Sequence, residues 1–486
     1  MFCLHETIHI YHTNDLHSHF ENWPKIAQYI DKCRGRHNRN HEEMLLVDIG
    51  DHIDRSHPMT EATLGQGNVE LMNELHYDYV TIGNNEGITL PHEALDRLYE
   101  KATFQVVVGN IVDPATTGSK AYFLSSVERN FLNKSGAYPS WAKPYRIHDL
   151  HNGLRIGFIG LTVYFSKLYE LLGWGLLNPF EVLGSLLEEV EKQSDIVILL
   201  SHLGMNDDEK IAEQFSGIDI ILGGHTHHLF ENGKIIGDTL LCGAGKFGKF
   251  VGHVEMNVDS HSKQIINKKA SVIQMDNQES CEKTSNKLQQ LCKQSEYMLQ
   301  DEITYLNEPL ELDWFKPSPF SDLLVAALKE WCSTEIAMVN AGVLLHPLPK
   351  GRVTKKDLHR ICPHPINPCK VELRGDQLKE VILQANTEKM ERLEIKGLGF
   401  RGKIMGKMVF AGVDIKTVIL ADGFRHVQSV NIEGEPINPD KIYQVATLDM
   451  FTFGNLYPEI KQAPNKTYFM PEMLRDLLAW KLTNVC

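Results

Sequence analysis

Short apolar runs bounded by polar or glycine residues recur through the first part of the chain: HIYHTND, MLLVDIG, YDYVTIG, FQVVVGN, LRIGFIGLTV, IVILLSH and IDIILGG. Runs of this length, rich in β-branched residues, read as buried parallel strands. Helical stretches lie between them, which is the rhythm of an α/β layered sheet. The span 112–145, containing DPATTG and KSGAYPSWAKPY, breaks that rhythm and is expected to form an excursion on the substrate side. Between 276 and 302 the pattern changes again. DNQESCEKTSNKLQQLCKQSEYMLQDEI is polar, rich in helix formers and free of Gly and Pro, so it reads as a helix between domains. A second α/β region then opens with the amphipathic PSPFSDLLVAALKEWC. The expected organisation is a catalytic domain over 1–270, a linker helix over 271–304 and a substrate-binding domain over 305–486.

The pattern also places chemistry. Seven residues able to hold a metal follow five of the strand-like runs: Asp15 and His17, Asp51, Asn84, His202, and His225 with His227. In open α/β sheets, sites collect at the carboxyl ends of strands, so five such ends point to a two-metal site on one edge. If the chain is extended at Asp15 and His17, both side chains share a face and reach one ion, and His225 and His227 repeat that spacing. Asp51, just past Gly50, is placed to bridge two cations. Taken singly, each residue is ordinary: a His-Thr-His on a surface, an Asn in a Gly-Asn-Asn turn. Their joint occurrence after apolar strands is what carries the metal reading. Carboxylate, imidazole and amide donors together suit Mn, Fe, Co or Zn. Two such ions about 3.5–4 Å apart would acidify a bridging water for attack on phosphorus and stabilise an in-line displacement.

Composition narrows the substrate. With 486 residues the chain is long enough for two sizeable cores. Its net charge of −14 disfavours a nucleic-acid partner, although cations at the site would still attract a small phosphate ester. Nine cysteines, at 3, 33, 242, 281, 292, 332, 362, 369 and 486, form no CxxC pair, which suits reduced thiols in a cytoplasmic protein. MFCLHETIHIYHTND lacks the basic start of a secretory signal. No apolar stretch approaches the roughly 20 residues that span a bilayer, so no membrane partner is expected.

The order DxH, GD, GN, SHLG and GGHTH resembles the calcineurin-like metallophosphoesterases. The appended second domain makes the likeness closest to the bacterial 5′-nucleotidase / UDP-sugar hydrolase type, over nearly the whole chain. The resemblance implies a four-layer α-β-β-α domain followed by a smaller α/β 5′-nucleotidase-type domain that supplies the nucleoside pocket. It implies one metal on Asp15, His17, Asp51 and His227, and a second on Asp51, Asn84, His202 and His225. The implied activity is hydrolysis of a nucleotide or related small phosphate ester.

Three departures bear on that activity. The family's Gly-Asn-His-Glu, with an Asp further on, reads here Gly83-Asn84-Asn85-Glu86-Gly87-Ile88, so Asn85 and Ile88 replace the dyad that stabilises the transition state. Asn85 is expected to donate a hydrogen bond to a phosphoryl oxygen, but it has no proton to give up, and losing a general acid costs about 10²–10⁴ in rate. Candidate substitutes are His19, His52, His57 and His228; otherwise the leaving group needs little protonation, as in a pyrophosphate bond. Second, Asn340-Ala341-Gly342-Val343-Leu344 lacks the family's substrate-gripping arginine, leaving Arg352 and Arg374 as candidates. Third, the aromatic loop reads Phe451-Thr452-Phe453-Gly454-Asn455-Leu456-Tyr457, whose Phe451, Phe453 and Tyr457 suit either base stacking, at roughly 1–3 kcal/mol per base, or core packing. The glycine-rich 396–407 lacks Walker spacing and is expected to be a flexible loop. The alternatives are the same chemistry on a non-nucleotide or cyclic phosphate ester, and a weakly active nucleotide sensor.

Overall fold

The computed structural model describes residues 5–114, 138–151 and 153–485. Most of the predicted excursion at 112–145 lies outside the described residues. The chain divides into two compact units, Met1–Gln294 and Ser295–Cys486.

In the first unit the apolar runs form two sheets. One has the order Ile265–Gln274, Phe250–Asp259, His5–Thr13, Glu43–Asp48, Tyr79–Val80, Gln105–Val107, Ala142–Lys143. Its strands are parallel from His5–Thr13 onward and antiparallel on the other side. The other has the order Lys234–Ile236, Thr239–Cys242, Ile220–Gly223, Ile196–His202, Arg155–Thr162, Tyr145–Asp149, with the four middle strands parallel. Because strand side chains alternate between faces, each inner strand supplies two cores. Ile198, Leu200 and Phe158 meet Ile8, Ile10, Leu45 and Val47 of the opposing sheet. Val197, Leu199 and Ile159 face outward, where Leu183, Leu187 and Ile211 of helices Pro179–Val190 and Met205–Gln214 cover them. Helix Trp23–Asn40, burying Trp23, Ile26 and Ile30, covers the outer face of the first sheet. The result is the expected four-layer α-β-β-α arrangement.

Two expected boundaries shift. Residues 271–274 finish the edge strand Ile265–Gln274 rather than starting a helix, because their alternating half-buried side chains pair with Phe250–Asp259. The helix itself is Glu282–Met298, and Glu302–Leu306 has already become a strand against Gly351–Thr354.

The second unit is a five-stranded mixed sheet, in the order Met408–Ala411, Ile336–Asn340, Ile442–Leu448, Pro368–Arg374, Lys466–Tyr468. Helices Pro319–Trp331, Gly375–Ala385 and Leu474–Val485 contribute to its core. Among the described residues no helix is long and apolar enough to cross a membrane.

The two sheets of the first unit come close together at Gly160, whose carbonyl accepts from Gly109 N–H at 2.7 Å. A Cβ there would lie 1.8 Å from the Val107 carbonyl oxygen, a backbone atom that cannot swing aside. Gly160→Ala is therefore expected to lower the unfolding free energy by about 1–3 kcal/mol, the usual cost of overpacking. Urea denaturation checks it; wild-type stability would show that the sheets separate freely.

Candidate metal centre

Three strands of the first sheet, His5–Thr13, Glu43–Asp48 and Tyr79–Val80, end beside two of the second, Ile196–His202 and Ile220–Gly223. The seven predicted ligands follow from these ends, so the site spans two sheet edges rather than one. Asp15, His17 and His227 bring ligand atoms within 4.8 Å of one another, as do Asp51, His202 and His225. The two triads adjoin: His17 Nε2 lies 3.7 Å from Asp51 Oδ2 and 3.8 Å from Asp15 Oδ1. His202 Nε2 lies 3.5 Å from Asp51 Oδ2 and 4.0 Å from Asp15 Oδ1. Asn84 Oδ1 meets His225 Nδ1 at 2.8 Å, joining the second triad.

The convergence does not arise from an extended backbone. Asp15, His17, Asp51, His225 and His227 all have φ between 49° and 69°, the left-handed region that non-glycine residues seldom adopt. Strain of this kind, of order 1–3 kcal/mol per residue, persists where surrounding contacts over-determine it. Three sets of contacts do so. Asp15 N–H donates to Gly50 O and His17 N–H to Asp51 O, lacing the first two loops together. Asn14 Nδ2 donates to Asp15 Oδ2 and Gly245 O, while its Oδ1 accepts from Ala244 N–H. Above all, the buried Glu86 carboxylate accepts from the N–H groups of Asp51, Ile53 and Gly83 at 2.9, 3.0 and 2.7 Å. Gly83 is sterically required, since a Cβ would fall 2.1 Å from Asp51 Oδ1 and 2.6 Å from His202 Cε1.

The donor set fits divalent cations. His202 Nδ1 donates to the Ile49 carbonyl at 2.6 Å, which leaves its buried Nε2 without a hydrogen-bond partner and aimed at both carboxylates. Burial alone would depress His202, but the charges of Asp51 and Asp15 outweigh it and raise the imidazole to about 10. Burial also lowers His17, and lowers His225 to about 4 with help from His202; neutral imidazoles are competent ligands. Burial favours a protonated Asp51, yet His202, His17 and the Asn85 N–H pull its carboxyl below the usual range. The site thus concentrates anionic oxygen where positive charge is the natural complement.

Several expectations are corrected. Asn85 does not present its amide as a phosphoryl donor: its Nδ2 contacts His17 Nδ1 at 2.7 Å and Ile53 O at 3.1 Å. It lies behind His17, on the ring nitrogen away from Asp15 and Asp51. Of the substitute histidines, His52 is buried against Trp23 and lowered to about 3 by burial. His57 caps helix Pro58–Thr63 by accepting from Met59 N–H. His228 bonds Thr226 Oγ1, and His19 lies tilted against Phe247 with ring centroids 3.8 Å apart.

In the second unit, Phe451 and Tyr457 are fully buried and pack edge to face at 5.2 Å, so they are core and unable to stack on a base. Phe453 alone is exposed, parallel to Tyr468. Arg352 pairs with Glu302 and Arg374 with Asp376, both on the surface. Asn340 is buried, donating to Met405 O. The 396–407 loop supplies that acceptor and folds back over Asn340 and Gly342. Sequence reasoning missed Glu86 and Asn14, although Glu86 stands in the motif itself.

Glu86→Ala would strand three backbone N–H groups, each costing about 1–3 kcal/mol when left unsatisfied in the interior. The expected outcome is a loss of at least about 3 kcal/mol in denaturant unfolding together with weakened metal retention. Glu86→Gln, which keeps an acceptor, should lose less.

Residues 8–229 match the family model for calcineurin-like phosphoesterases, and residues 302–456 match that for the 5′-nucleotidase C-terminal domain. An uncharacterized metallophosphoesterase of Bacillus subtilis, YunD, is 51% identical over 479 residues, covering 98% of this chain and 99% of that protein. A snake venom 5′-nucleotidase from Gloydius brevicauda is 23% identical over 76% of this chain and 68% of its own. The solved structure of Haemophilus influenzae NAD nucleotidase aligns with a TM-score of 0.66 at 16% identity, covering 99% of this chain and 96% of that one. The chain belongs to the calcineurin-like phosphoesterases that carry a 5′-nucleotidase C-terminal domain, a family of metal-using phosphoester hydrolases.

Proposed function

We propose that this chain is a dinuclear phosphohydrolase of nucleotides or related small phosphate esters, with a preference for substrates whose leaving group is itself a phosphate. The observation that carries this reading is the meeting of the two triads around Asp51. Asp15, His17, Asp51 and His227 would hold one divalent cation, and Asp51, Asn84, His202 and His225 the other. When bound, such cations neutralise phosphoryl charge and acidify water.

The chain's own residues do the rest. Asp51 Oδ1 accepts from Asn85 N–H at 2.7 Å, which frees Oδ2 toward both His17 and His202. The Ile49 carbonyl fixes the tautomer of His202, the role outer partners play for ligating histidines. Neither Asn85 nor Ile88 has a proton to donate, and His52 and His57 are engaged in packing and capping. A ribose 5′-alkoxide needs a proton that these four residues do not supply, whereas a phosphate leaves readily as an anion. The relatives named as 5′-nucleotidases support a nucleotide substrate.

Phosphate release from AMP, ADP, UDP-glucose, 2′,3′-cyclic AMP and p-nitrophenyl phosphate, in Mn²⁺ or EDTA, tests the reading. Turnover should require metal and favour ADP or UDP-glucose over AMP; equal rates on AMP would remove the leaving-group argument. Asn85→Ala should raise the Mn²⁺ concentration for half-maximal activity by about 10–100-fold, as expected for loss of a group orienting a ligand, with kcat largely recovered at saturating metal. A low kcat that metal does not rescue would return Asn85 to direct phosphoryl contact.

A further inference from the structure

A second group of metal-ligating side chains lies on the helix-covered face of the first sheet. Ile8 and Ile10 point into the inter-sheet core, so His9 and Tyr11 point to the opposite face, toward helix Trp23–Asn40. The last turn of that helix carries His37, and a left-handed cap at His41 turns the chain so that Glu42 N–H bonds His37 O and its side chain folds back. The ligand atoms of His9, His37 and Glu42 fall within 4.8 Å of one another. Two ring nitrogens converge on one carboxylate oxygen: Glu42 Oε2 is 2.7 Å from His37 Nδ1 and 3.4 Å from His9 Nε2.

Three features separate this group from an ordinary hydrogen-bonded cluster. His9 is 5% exposed, and its Nε2 is buried without a hydrogen-bond partner while facing the cluster. Its other nitrogen, Nδ1, meets His253 Nε2 at 2.9 Å, on the diagonal neighbour across the antiparallel pair. A proton on Nδ1 shared with His253 leaves the Nε2 lone pair bare toward Glu42. His37 likewise has outer partners on Nε2, the Tyr11 hydroxyl at 3.0 Å and the Arg36 guanidinium at 3.2 Å. Imidazole ligands oriented from behind by a second polar group are the usual construction of a metal site. Glu42, whose side chain is 27% exposed, sits at the mouth, where it can draw back to admit an ion.

We propose that His9, His37 and Glu42 form a site for a divalent transition cation of the Zn²⁺ type, separate from the centre at the strand ends. Two imidazole nitrogens and one carboxylate oxygen are the donor set such ions accept, with a further position open toward solvent beside Glu42. Burial and the neighbouring His37 lower the His9 imidazole, against the pull of Glu42, so it stands neutral and able to ligate.

The test is the Zn²⁺ content of the full-length protein after equilibrium dialysis against buffered free Zn²⁺. A triple variant, Asp15→Ala with Asp51→Ala and His202→Ala, breaks both strand-end triads and provides the background. In that background one Zn²⁺ per chain should remain, and adding His9→Gln should abolish it. Glu42→Gln, at a partly exposed position, should do the same with an unchanged circular dichroism spectrum, which guards against misfolding of the His9 variant. Replacement of Zn²⁺ by Co²⁺ should give visible absorption in the background that is lost with Glu42→Gln. In the otherwise native chain, Glu42→Gln should leave metal-dependent phosphate release unchanged, so the two centres are tested independently. Zn²⁺ content unaltered by both His9→Gln and Glu42→Gln, or no Zn²⁺ in the background, would overturn the proposal and leave the cluster a hydrogen-bonded network.

Discussion

Two carboxylates, Asp15 and Asp51, are buried among the imidazoles of His17, His202, His225 and His227, and their charge has to be balanced where it lies. Burying an unpaired carboxylate is prohibitive, so whatever holds these side chains together must be stiff enough to resist their separation. Here the stiffness comes from loops. Five of the site residues sit at positive φ, and the Glu86 carboxylate ties the Asp51 and Gly83 loops through three backbone N–H bonds. In the proposed reading a cation would complete the site by supplying the charge that protonated His202 otherwise provides. The family uses divalent metals, and these residues are ones that could hold them.

Asn85 is where this chain departs most from its family resemblance. The residue that replaces the expected histidine turns inward and bonds His17 and Ile53 O. In the reading proposed above, Asn85 contacts a ligand rather than the substrate. The altered dyad turns attention to leaving groups that depart without a proton.

Much of this was legible in the sequence, for definite reasons. Buried parallel strands announce themselves as apolar runs, so Ile196–His202 and Ile220–Gly223 were readable, and the polar residues at their ends marked the candidate site. The amphipathic period of Pro319–Trp331 was equally plain. Backbone handedness was not readable: the spacing of Asp15 and His17 suggested an extended pair, whereas left-handed turns bring them together. Periodicity cannot report a conformation set by long-range hydrogen bonds such as Asp15 N–H to Gly50 O. Glu86 was hidden because a buried carboxylate bonded only to backbone has no sequence signature beyond its motif. Phe451 and Tyr457 were ambiguous by composition, since an aromatic-rich segment looks the same whether it lines a pocket or fills a core. Arg352 and Arg374 were proposed from proximity in sequence, which carries no information about their partners Glu302 and Asp376.

The proposed centre has two triads holding two cations joined by Asp51, with Asn85 behind His17. Anomalous diffraction from crystals grown with Mn²⁺ tests it most directly. Two peaks are expected at the strand ends, both within ligand distance of Asp51, with the Asn85 amide still bonded to His17. A single peak, or Asn85 turned away from His17 toward the metal cavity, would contradict it.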